Sequence, residues 1–155
     1  MKVDLKDVIE AIELQGDLVN HYYHKNSGII IYVEDPSVAN YKASDIEQLD
    51  EYEEWEKDLI SSLYDFEENP YDYIILPNKE HINEDKMIMD FCNSIEDISL
   101  RDNILNEINE ENSFFKIKKA IENNGLLSEW YDYRENAERE LAINWCKNNN
   151  ISYSL

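Results

Sequence analysis

Apolar residues recur at helical spacing at Leu5, Val8, Ile9 and Ile12, marking one face of a first helix that Asp4 caps and Gly16 closes. From Leu18 to Val33 the pattern changes to β-branched and aromatic residues, split by Lys25-Asn26-Ser27-Gly28, where Asn and Gly accept the positive φ of a hairpin turn. The second strand of that hairpin, Ile29 to Val33, is apolar on both faces, which predicts a neighbour on each side and helices over at least one face. Tyr73-Ile74-Ile75-Leu76, held between Pro70 and Pro77, supplies the third strand, with Ile151 to Tyr153 as a second candidate.

Between these strands the spacing predicts a long acidic helix, opened by a Ser44/Glu47 capping box and ending before Asn69-Pro70, with an apolar stripe of Leu49, Tyr52, Leu59, Leu63 and Phe66. After Pro77 the pattern is helical throughout. One helix from Asn78 carries Met87, Ile88, Phe91 and Cys92, and the next carries Leu100, Ile104, Leu105 and Ile108. A short helix carries Phe114, Ile117 and Ile121 and stops at Gly125, and a long one runs from about Leu126 to Lys147. The expected fold is α+β, a single domain over residues 1–155. A small antiparallel sheet of about three strands, a hairpin plus one, packs against about six helices, and the C-terminal half is a helical bundle.

Composition supports a folded core: 43% of residues are hydrophobic and 12% aromatic, and a domain of this length buries roughly 68–70% of its unfolded surface. No apolar run approaches a membrane span, and no targeting signal opens the chain. Cys92 and Cys146 lie in apolar helical patterns without CxxC spacing, as reduced core thiols of a cytoplasmic protein do.

The formal net charge of -21 changes the picture of partners. Met1 to Tyr73 holds 5 basic and 19 acidic residues, net -14, and Ile74 to Leu155 holds 9 and 16, net -7. Such a polyanion repels phosphates and gains no counterion release from them, so direct nucleic-acid binding by the whole surface is disfavoured, any such binding must rest on a local basic spot or on mimicry, and a basic protein is the expected partner.

Cofactor and metal chemistry find no support. Gly16, Gly28 and Gly125 are isolated, so neither a dinucleotide fingerprint nor a P-loop exists. There is no Gly-x-Ser-x-Gly elbow, and neither cysteine has the local signature of a nucleophile. His21 and His24 lie an odd number of residues apart on a strand and point to opposite faces, which does not suit a shared ion. His81, in the first turn of a helix without a Glu-x-x-His partner, reads as a surface residue.

The one pointed constellation lies in the second half. Lys116, Lys118 and Lys119 follow Phe114-Phe115, and Trp130, Tyr131, Tyr133 and Arg134 open the last helix. Arg134 shares the stripe of Leu127, Trp130, Ala137 and Leu141, so it must be paired or stacked if that stripe is buried. Two readings follow. Either Arg134 forks onto a carboxylate of another helix and locks the bundle, or Lys116, Lys119, Trp130, Tyr131 and Arg134 line a pocket for an anion or small ligand.

Phe114-Phe115-Lys116-Ile117-Lys118, Leu126-Leu127, Trp130-Tyr131-x-Tyr133-Arg134 and Ala142-x-x-Trp145 resemble the C-terminal signature of uncharacterised protein family 0158, a bacterial family. Tyr22-Tyr23-His24-Lys25-Asn26-Ser27-Gly28 and Ile75-Leu76-Pro77 followed by Met89-x-Phe91 match its order. The chain departs from it with Asn112, Phe115 and Ile117, where the family shows a Gly and further Arg and Phe. The resemblance implies a compact domain with a small sheet beside a helical bundle in a bacterial cytosol, and carries over no activity. The leading functional expectation is therefore a non-enzymatic acidic module that binds or regulates a protein. A ligand pocket near Lys116, Trp130 and Arg134 is the alternative, and an acidic nucleic-acid mimic, with carboxylates from Asp45 to Asp58 on an exposed ridge, is a further one.

Overall fold

The computed structural model describes residues 2–78, 83–108 and 113–155. His81 and Asn112 fall outside them. The fold is α+β, and the chain forms two compact units: residues 1–78 with 142–155, and residues 79–141.

In the first unit, β1 (Lys2–Asp4) leads directly into α1 (Leu5–Leu14), where the Asp4 carboxylate accepts from the Lys6 amide at 2.9 Å. Leu5, Val8 and Ile12 are buried on one side of α1, as the spacing requires, with Ala11 beside them, while Ile9 is half-buried. The closing residue differs: Gln15, not Gly16, is the C-cap, and Gly16 does not adopt a positive φ.

The hairpin forms as read, with β2 (Val19–His24) and β3 (Ile30–Glu34) antiparallel, Tyr22 opposite Ile31, and Gly28 at φ +73° in the turn. The position of the hairpin in the sheet does not match the expectation. β4 (Tyr73–Ile75) pairs with β2, with Tyr22 opposite Ile75, so the order is β3-β2-β4 and β3 is an edge. The apolar run of β3 therefore does not mark a central strand, and Tyr32 within it is 41% exposed; hydropathy reads faces, while hydrogen-bond neighbours sit at edges. Cover on both faces is visible at β2, where Tyr22 meets Phe66 at 4.6 Å and its successor Tyr23 meets Trp145 at 6.1 Å. The segment at Ile151–Tyr153 joins a different sheet: β5 (Ser152–Ser154) runs parallel to β1, with Val3 opposite Tyr153.

The long acidic helix is broken. Residues Ala43–Glu51 form a 3-10 segment kinked at Gln48, Tyr52 and Glu53 are extended, and α2 runs Glu54–Glu68. The Ser44/Glu47 capping box is replaced by Asp45, which accepts from the Lys42 amide at 2.8 Å, and by Glu56, which accepts from the Glu53 amide at 3.1 Å. Acidic residues at 50, 51, 53 and 54 would stack like charges at helical i,i+3 and i,i+4 spacing in an unbroken helix, and the break relieves them.

In the second unit, α3 (Glu84–Ser94) starts at the Asn83 cap rather than at Asn78. α4 (Ile98–Glu107), capped by Asp97, and α5 (Phe114–Asn123), capped by Ser113, follow. Gly125 at φ +76° closes α5, and α6 (Leu127–Asn148) belongs to this unit as far as Leu141. Met87, Ile88, Phe91, Cys92, Ile104, Ile117, Ile121 and Trp130 form one core among the four helices, the bundle expected of this half.

Candidate functional site

The residues singled out from the second half take separate roles. Trp130 is fully buried between Phe91 at 5.6 Å and Phe114 at 6.1 Å, and its indole N–H has no hydrogen-bond partner among the described residues. Tyr131, its neighbour in sequence, faces outward with the Lys118 ammonium 5.3 Å from its ring centroid. Lys116 is exposed, and Lys119 lies 3.5 Å from Glu122 on the same helix. Arg134 lies 3.1 Å from Glu84 of α3 and 3.5 Å from Glu138 of its own helix, with about a third of its side chain exposed. Trp130 is thus core, and the Arg134 guanidinium is engaged by carboxylates. Both thiols are buried and free; burial pushes Cys92 up to about 11 and raises Cys146, the opposite of an activated nucleophile.

In the first unit, residues of α2, β3 and the segment that follows β3 line three neighbouring depressions. The largest, about 670 Å³, is lined by His24, Ser27, Ile30, Asp58, Asp65 and Tyr73, among others. Here the Tyr73 hydroxyl donates to Asp65 at 2.5 Å, Asn69 donates to the other Asp65 oxygen at 2.8 Å, and His24 stacks on Tyr73 at 4.6 Å. The Tyr73 and Asn69 hydrogen bonds hold Asp65 below the usual carboxylate range, while burial and that same carboxylate raise Tyr73. Ser27 Oγ reaches His24 Nδ1 at 2.7 Å, but His24 Nε2 stands 3.6 Å from an Asp65 whose oxygens already accept elsewhere. The cluster clasps the hairpin, β4 and α2 together.

The second depression, about 400 Å³, lies between the loop after β3 and α2, lined by Pro36, Tyr41, Ala43, Leu63 and Phe66 among others. The third, about 240 Å³, is aromatic: Tyr32, Tyr41 and Trp55 wall it, Ala39, Leu59 and Leu63 give it apolar lining, and Glu34 and Asn40 add polar groups. Tyr41 stands edge-on to Trp55 at 6.2 Å and 86°, and to Tyr52 at 6.2 Å and 71°. Carboxylates fix two of these rings. The Tyr41 hydroxyl donates to Glu56 at 2.8 Å, which raises its pKa, and the Trp55 indole donates to Glu53 at 3.0 Å. Trp55 is nonetheless 61% exposed, a large aromatic surface beside an open groove.

Sequence reading missed this groove because its walls come from β3, the following loop and α2, which no spacing rule brings together. The one signal was the exposure-prone Trp55 inside a run of carboxylates.

Among the described residues no helix is long and apolar enough to cross a membrane, and no group of three or more His, Cys, Asp or Glu side chains is placed to hold a metal ion. No curated protein and no solved structure matches the chain. A family model does match, over residues 1–155, and the chain belongs to the uncharacterised protein family UPF0158.

Proposed function

We propose that the chain is a non-enzymatic module that binds a basic protein partner through the acidic face of the 3-10 segment and α2. One observation carries the reading. Residues 45–68 hold eleven carboxylates against a single cation, Lys57, and most of those carboxylates are exposed. Such a face attracts a cationic surface over a Debye length of about 8–10 Å at physiological salt, raising encounter rates and rejecting anions. Cytoplasmic placement belongs to the same proposal and is supported by two free, buried thiols.

The test is purification of the intact chain from its host at low salt, beside a variant with Glu47, Asp50, Glu51, Glu54 and Asp58 changed to their amides. The expected result is a stoichiometric basic partner that the variant does not retain and that raised salt releases. Equal retention by the variant, or binding indifferent to salt, would overturn the proposal.

A further inference from the structure

We infer that the groove walled by Tyr32, Tyr41 and Trp55 receives an arginine side chain of that basic partner; the inference rests on the reading above and names where recognition occurs.

Three properties of the groove converge on this occupant. Tyr41 and Trp55 pack edge to face, with ring centroids 6.2 Å apart at 86°, and together with Tyr32 they line the groove, so a planar cation seated in it can stack on the ring surface they present there. Both rings are pinned through their polar atoms, Tyr41 by Glu56 and Trp55 by Glu53, so their faces are held in place before anything binds. Ala39, Leu59 and Leu63 offer apolar surface for a methylene stem, and Glu34 offers a carboxylate for a charged head.

A side chain with a long apolar stem, a flat delocalised cation and a fork of N–H donors matches all three features. Arginine has that form; the lysine ammonium is a compact, strongly hydrated point charge that stacks less well. An anion is disfavoured by the surrounding carboxylates, and a neutral apolar ligand leaves Glu34 desolvated without a partner. The volume, about 240 Å³, suits one side chain rather than a folded segment.

The test uses the full chain, ¹⁵N-labelled, titrated with capped hexa-arginine and hexa-lysine peptides. The Trp55 indole N–H resonance is followed, and Kd is measured by calorimetry at two salt concentrations. Hexa-arginine is expected to shift the Trp55 resonance. Trp55→Ala is expected to weaken binding about tenfold, the contribution of one partly desolvated cation–ring contact, and Glu34→Gln severalfold. Because Trp55 is mostly exposed, Trp55→Ala is expected to keep the wild-type circular dichroism, and Glu34→Gln provides an independent surface variant. Hexa-arginine binding that keeps its salt dependence but is unchanged by both substitutions would overturn the groove while leaving the acidic-face reading standing. Absence of binding at low salt overturns both readings. Equal affinity for hexa-lysine, with equal loss in Trp55→Ala, overturns the assignment of arginine.

Discussion

Replacing Arg134 by leucine cuts both arms of the bridge between α3 and α6. The arm to Glu84 is solvated, with 32% and 42% of the two side chains accessible, and such pairs contribute about 0.2–1 kcal/mol. The arm to Glu138 faces a carboxylate whose side chain is only 11% accessible. Removing the cation from a fully buried pair costs about 3–5 kcal/mol. Here the cation is itself a third exposed, and Glu138 is not left without other partners, so about 2 kcal/mol is the fitting value for that arm. The total, about 2–3 kcal/mol, lowers the Tm of a chain this size by about 5–10 °C. Thermal melts followed by circular dichroism measure it for Arg134→Leu, Arg134→Lys, Glu84→Gln and Glu138→Gln. Arg134→Lys, which keeps charge but not the fork, falls between wild type and leucine, and the Glu84 effect shrinks with salt while the Glu138 effect persists. If Arg134→Leu melts with the wild type, the bridge reasoning is wrong.

Other outcomes follow from local geometry. Gly125→Ala places a Cβ at φ +76° in open space, so its cost of about 1–2 kcal/mol is backbone strain alone; Gly16→Ala, with no positive φ and equal room, stabilises by about 0.4–1 kcal/mol, and paired denaturant titrations check both. Gln15→Ala removes the Gln15 amide's bond to the Leu76 carbonyl and the acceptor of the His21 amide, costing about 2–3 kcal/mol, with faster hydrogen exchange at His21 as the readout. Burial lowers the His21 pKa, so its neutral form is favoured in the folded state. Its contribution to stability is complete above the unfolded value near 6.5 and is lost as pH falls toward the folded one; His21→Asn flattens that part of the stability–pH curve. Asp65 is likewise depressed, so its contribution is present above the ordinary carboxylate value and lost in acid, and Tyr73→Phe moves the Asp65 carbon-detected NMR titration upward.

Local order was legible where one segment contains its own explanation. The Asp4 cap, the stripe Leu5, Val8 and Ile12, the Gly28 turn and the Gly125 stop are written within a few residues of where they act. The third strand, Tyr73–Ile75, was legible between its two prolines, but its attachment to β2 rather than β3 was not, because hydropathy carries no edge information. The break at Tyr52 was hidden because Leu49 and Tyr52 stay in phase with Leu59, while the repulsion that interrupts the helix is a property of charge density. Gln15 is a polar residue in a connecting segment whose role depends on His21 and Leu76 arriving beside it, and Arg134 announced a need for partners without naming Glu84.

The pairing of β1 with β5 has a consequence for the order of events during synthesis. Lys2 pairs with Ser152, so this contact waits until every residue between them has been made, whereas the described helices of the second unit pack against nearer neighbours in sequence and close shorter loops. β1 therefore keeps a strand edge unpaired until Ser152–Ser154 have been made, while the second unit needs no such distant partner to pack its helices. Replacing Ser152–Ser154 with glycines accordingly leaves the second unit folded and exposes the edge of β1 to faster hydrogen exchange.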